Sequence, residues 1–230
     1  MNTWISVTRY HMVDRLTYTA LPWIIQGFSF AVSVAIFAAL GASTSKASYS
    51  GALATIYIIF AALGGQSISR RLQFAFTLGV SRRSYYAGTA LLAVSLAVVD
   101  GLALTVLQLI ERATDGWGIG LHFFRVPYIL PGPWYLTWLT SFVGLALLFI
   151  YGMWIGLVYR RWSLLGLLTF VTAQVVVIVA GVIITSNDHA WPAIGHFFTT
   201  LTAAGLTGLL AALALALLAG GYTTARRVTV

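Results

Sequence analysis

Six apolar stretches, each near the roughly 20 residues that an α-helix needs to cross a bilayer, dominate this chain and leave it few ways to fold. They run from Leu21 to Ala42, Gly51 to Ile68, Tyr85 to Ile110, Leu136 to Tyr159, Ser163 to Thr185 and Phe197 to Gly221. Of the 230 residues 60% are hydrophobic and 8% charged, and the mean hydropathy of +0.91 lies far outside the range of soluble domains. The expected fold is all-α: one integral membrane domain over residues 1–230, a bundle of six transmembrane helices.

The charges orient the bundle. A net charge of +8 and a pI near 10.1 would suit a nucleic-acid binder, but the basic residues fall in pairs between apolar runs, which is a topology signal. With the N-terminus inside, the inner segments hold ten arginines: Arg9, Arg15, Arg70, Arg71, Arg82, Arg83, Arg160, Arg161, Arg226 and Arg227. The outer segments hold only Lys46, Arg112 and Arg125. The reverse orientation would carry four arginine pairs across the membrane, so a multi-pass protein with both termini cytoplasmic is expected.

Three segments outside the runs have a character of their own. Ser69 to Tyr86 carries an arginine pair near each end, and Leu72, Ala75, Phe76 and Gly79 fall at i, i+3, i+4 and i+7. Phe74 and Leu78 widen that apolar face, which reads as a cytoplasmic helix (69–84) docking on headgroups, the bundle or a partner. Trp4 to Tyr18 places Ile5, Met12 and Leu16 on one side among Arg9, Asp14 and Arg15, the pattern of an amphipathic interfacial helix within residues 1–20. The outer segment 111–135 is rich in Phe, Trp, Pro and Gly and is expected to dip into or lie along the outer interface. There Trp117, Trp134, Tyr135 and Trp138 would form an aromatic belt. Gly152 and Gly156, and the Ala204, Gly208, Ala212 series, mark close helix contacts within one chain or between two.

Catalytic signals are missing. The sole lysine, Lys46, lies in GASTSKAS, which lacks the second glycine of a P-loop, so the chain cannot be its own ATPase. There is no GxSxG and no cysteine, and the His189, His196 and Asp188 group reads as interfacial rather than as a metal site. No catalytic residue and no metal ligand is assigned. Asp100, about 15 Å from the outer end of the third run at the helical rise, is an acid at membrane depth. It is either a proton-relay or substrate-contacting carboxylate, or a packing residue bonded to a partner such as Gln108 or Gln174.

The run RRLQFAFTLGVSRRSYYAGTALLAV (Arg70 to Val94), with its LGxSRRxYYxGT pattern, resembles permease subunits of bacterial, especially actinobacterial, ABC transporters of the type-2 export class. The resemblance implies that Arg70, Arg71, Phe74, Phe76, Arg82 and Arg83 belong to a coupling helix seated on a separate ABC ATPase. ATP and Mg would sit on that partner, with no cofactor on this chain. It further implies a connecting helix at the inner leaflet of the bacterial plasma membrane. A translocation path would form with a second copy or a similar permease, exporting a drug, lipid or peptide, with no nucleic acid involved. In that class the outer insertion precedes the last span, whereas here the longer outer segment precedes the fourth. The alternatives are an ion-coupled carrier or a membrane-embedded enzyme using Asp100, for which several intramembrane acids or clustered polar residues would be needed.

Overall fold

The computed structural model describes residues 16–39, 48–69, 81–125, 133–187, 191–192, 195–196 and 202–225. Five helices in it are long and apolar enough to cross a membrane. They are α1 (Leu21–Ala39), α2 (Ala54–Ser69, led by a 3-10 turn at Gly51–Leu53), α3 (Arg82–Ala113), α4 (Trp134–Asn187) and α5 (Ala203–Ala225). The fold is therefore an all-α membrane bundle, as the apolar runs predict.

The six expected spans map onto five helices because α4 contains two of them. Its 54 residues would reach about 80 Å if straight, far more than a bilayer. At Ser163 the backbone leaves the helical region (φ 58, ψ −158) and the helix folds back on itself. The Tyr151 hydroxyl donates to Gln174 Oε1 at 2.6 Å, although 23 residues of straight helix would hold them about 35 Å apart. The two arms, 134–162 and 164–187, are thus an antiparallel pair.

Glycine sets the closest contact. Gly64 of α2 abuts the Phe149 carbonyl, and Gly152 and Gly156 of α4 abut the Ala61 and Gly65 carbonyls, leaving no room for a Cβ on these residues. The GxxxG pair therefore works within the chain, between α2 and α4. The second small-residue series does not: Gly208 has open space beside it, and Ala204 and Ala212 are exposed. α5 is held instead by hydrogen bonds, from Trp154 Nε1 to the Leu217 carbonyl at 2.7 Å, from the Tyr86 hydroxyl to the Leu218 carbonyl at 2.9 Å, and between Thr140 and Thr207 at 2.7 Å.

The core lies where Leu53, Ile56, Phe60 and Leu63 of α2 meet Leu92, Ala93, Leu96 and Leu104 of α3 and Leu145, Phe149, Met153 and Leu157 of α4. The arm 164–187 stands apart from it. Leu165, Val177 and Ile178 there are 78%, 70% and 65% exposed, which for an apolar helix means a lipid-facing surface. Of the amphipathic helix expected at the N-terminus only the end is described: Leu16–Ala20 form a π-turn leading into α1, with Tyr18 buried.

Candidate functional site

Two structures carry the chemistry of the chain: the start of α3 with the motif residues, and the buried polar side of α3 facing α1.

At the start of α3, Ser81 is the N-cap, its side chain accepting from the Ser84 amide at 3.2 Å. The helix begins at Arg82, three residues earlier than its apolar run. The Tyr85 hydroxyl donates to the Ser67 carbonyl in the last turn of α2, while Tyr86 reaches α5 as described above. Thr89 Oγ1 closes back on the Tyr85 carbonyl at 2.9 Å, and Gly88 and Thr89 are buried. The SRRSYYAGT run is thus in part a structural clasp that holds the end of α2 against the start of α3 and ties both to α5. Of the expected coupling residues, Arg82 opens α3 and Arg83 is exposed. Arg70, Arg71, Phe74 and Phe76 lie outside the described residues.

Asp100 lies midway along the buried face of α3 at 2% exposure. Its hydrogen-bond partner is Trp23 of α1, whose Nε1 donates to Oδ1 at 2.8 Å. Of the expected partners, Gln174 accepts from Tyr151 instead, and Gln108 Nε2 is buried without a hydrogen-bond partner. The donor is an indole N–H of another span rather than a glutamine amide. α1 and α3 are bridged here by side chains rather than by close backbone approach.

Further polar side chains are buried in the bundle. Gln26, one turn past Trp23, is 1% exposed, and both of its amide atoms lack a hydrogen-bond partner among the described residues. Gln108 Nε2 and Thr137 Oγ1 are likewise buried without a partner. Arg160 Nε and Nη2, toward the other end of the first arm of α4, are buried without a partner as well, so such atoms are spread along the bundle.

Segment 111–125 folds back toward the bundle. Glu111, fully buried, accepts from the amides of Phe123 (3.0 Å), Phe124 (2.7 Å) and Arg125 (3.1 Å) and from Trp117 Nε1 (3.2 Å), with His122 Nδ1 3.5 Å away. A carboxylate gathering successive amides turns the chain back into the bundle. The backbone geometry agrees: Asp115 and Trp117 adopt positive φ, and Gly116 (φ 75) stands where a Cβ would meet the Leu121 amide. Leu121–His122 then pairs in parallel with Ser48–Tyr49. Phe123 and Phe124 are buried against Phe30 of α1, with ring centroids 5.1 and 5.9 Å away, and Trp117 lies 5.0 Å from Phe30. Segment 111–125 thus packs against α1, with Trp117 half-buried in the contact. Trp138 stacks on Phe142 and donates to the Val98 carbonyl, leaving Trp134 and Tyr135 as the exposed aromatic pair.

Among the described residues no group of three His, Cys, Asp or Glu gathers as a metal site; Asp188 and His189 lie outside them. Comparison of the chain with protein-family models, curated proteins and solved structures finds no match.

Proposed function

We propose that this chain is the membrane permease subunit of an ATP-driven bacterial exporter, working with a separate ATPase and a second copy of itself or a similar permease in the plasma membrane, its termini cytoplasmic. The observation that carries the reading is the Tyr85 to Ser67 clasp. It brings together the two helix ends that flank the arginine-bracketed, apolar segment 70–81, so that a partner seated on that segment would act on α2 and α3 jointly. The sequence carries no P-loop motif, which is consistent with an energy source on another chain.

The experiment is purification from the native membrane in mild detergent, with co-eluting proteins identified and ATP hydrolysis assayed. A stoichiometric P-loop ATPase is expected to accompany the chain and to be lost, with its coupled hydrolysis, when Phe74 and Phe76 are replaced by Ala. Elution without an ATPase, or full coupling in that variant, would sink the reading. The second reading, an ion-coupled carrier using Asp100, draws on the buried acid and its polar neighbours. It predicts that Asp100→Asn abolishes gradient-driven uptake by vesicles lacking ATP.

A further inference from the structure

α2 and the first arm of α4 run side by side in the same direction, since Gly152 abuts the Ala61 carbonyl and Gly156, one turn on, abuts the Gly65 carbonyl and Ile68. Continued by another turn, this register brings residues 160–162 level with the end of α2 at Ser69. α3 starts at the same end of the bundle through the Tyr85 clasp, and α5 finishes there beside Trp154 and Tyr86. Arg82, Arg83, Arg160 and Arg161 are the described basic residues at this end. The described acids are remote from it: along α3, Asp100 lies about 27 Å from Arg82 and Glu111 about 43 Å, with Asp115 beyond. Asp14 and Asp188 lie outside the described residues. Among the described residues, this end therefore carries four positive charges and no negative one.

The part of this end open to the surroundings is the tip of the α4 hairpin. Arg161 and Trp162 are both exposed, and the Arg161 guanidinium lies 4.8 Å from the centroid of the Trp162 ring. Trp162 is itself lodged on the second arm: after the reversal at Ser163 its Cβ stands where a Cβ on Gly166 would go. Directly past it, Leu164, Leu165 and Leu168 are exposed and continue into the lipid-facing surface of residues 164–187. A cation over an indole at the end of an apolar face is an arrangement for headgroup depth, with hydrocarbon on one side and charge on the other. A soluble partner or a free phosphate would match the charge and leave the leucines uncovered. A phospholipid matches both, and one of net negative charge supplies what the arginines lack. We propose that the hairpin tip, formed by Arg160, Arg161, Trp162, Leu164, Leu165 and Leu168, is a binding site for an anionic phospholipid. The Arg161 guanidinium donates to the lipid phosphate beside the Trp162 ring, Arg160 adds its charge from the bundle side, and an acyl chain lies along the three leucines. The site goes beyond the exporter reading and does not depend on it.

Because the chain has no cysteine, a bimane label can be placed at one position, Thr169→Cys, which is exposed one residue past Leu168. The labelled full chain is reconstituted into phosphatidylcholine vesicles containing an equal fraction of either dibrominated phosphatidylglycerol or dibrominated phosphatidylcholine, whose bromines quench bimane on contact. Quenching at 169 should show about a fivefold preference for the anionic lipid, the factor that one arginine near an anionic surface contributes. The same label at Val182→Cys, about 20 Å further along the arm, should be quenched alike by both lipids. Arg161→Gln should remove most of the preference at 169, Arg161→Lys should keep part of it, and Trp162→Ala should lower it about twofold to fivefold. Quenching at 182 should be unchanged in all three, which also reports that they insert. Equal quenching by the two lipids at 169, or the same preference at both positions, overturns the site. A preference that survives Arg161→Gln overturns it too, and if that variant loses a co-purifying ATPase the tip docks protein instead. Lipid preference in a chain that purifies without an ATPase would retain the site while removing the exporter reading.

Discussion

Glu111 is the side chain on which segment 111–125 depends. It was legible in the sequence only as the first residue of segment 111–135, because a carboxylate that collects amides twelve to fourteen positions away leaves no periodic trace. Replacing it with Ala would leave buried N–H groups without acceptors, at a cost of about 3 kcal/mol in total. Glu111→Ala should therefore lower the thermal midpoint of the detergent-solubilised chain and shift Trp117 emission toward the red as the aromatic cluster opens. An unchanged midpoint and spectrum would show that the segment holds itself. Asp100 presents the opposite case. Its position at depth was readable from hydropathy and helical rise, but its partner was not, because Trp23 to Asp100 spans 77 residues and no spacing rule reaches that far.

Helices were the most legible level of this fold, since apolar length alone sets them in a bilayer. The expected boundaries of α1, α2 and α5 lie within a few residues of those observed at every described end but one: α5 starts at Ala203, six residues after the expected Phe197. The exception in kind is α4, where the arginine pair at 160–161 marked two spans but not the manner of their joining. No loop separates the arms; one residue reverses the helix. Ser163 occupies a backbone region that is nearly confined to glycine, at a cost of about 1–3 kcal/mol. Ser163→Gly should thus stabilise the chain by about 1 kcal/mol and Ser163→Val should destabilise it, as read from thermal midpoints in detergent. The reverse order would place the strain elsewhere. The GxxxG pair shows the same limit. Its closeness was readable, but which helix it meets became clear only from the α2 carbonyls beside it.

For the molecule as a whole, the charge pattern and the folded α4 lead to one expected topology. In the cysteine-free background, Thr114→Cys should react with a membrane-impermeant maleimide from outside intact cells, and Ser69→Cys only after permeabilisation. The opposite result would invert the bundle and remove the cytoplasmic placement of segment 70–81. Architecture could be read from the sequence because span number and arginine placement are additive along the chain. The buried polar side chains could not, because Gln26, Asp100, Gln108 and Thr137 come from three helices and look, one at a time, like scattered tolerances in apolar runs.

The uneven way the helices are joined has a mechanical consequence. α2 and α4 touch backbone to backbone through glycine, and the Tyr85 clasp fastens α3 to the end of α2, so these three form a stiff block. Among the described residues, α1 is bonded to α3 through the Trp23 side chain, and its Phe30 packs on Trp117 and Phe123 in the segment that follows α3. A load applied to the block therefore yields first along the α1 side, where the give in the structure is concentrated and where a single indole-to-carboxylate bond acts as the latch.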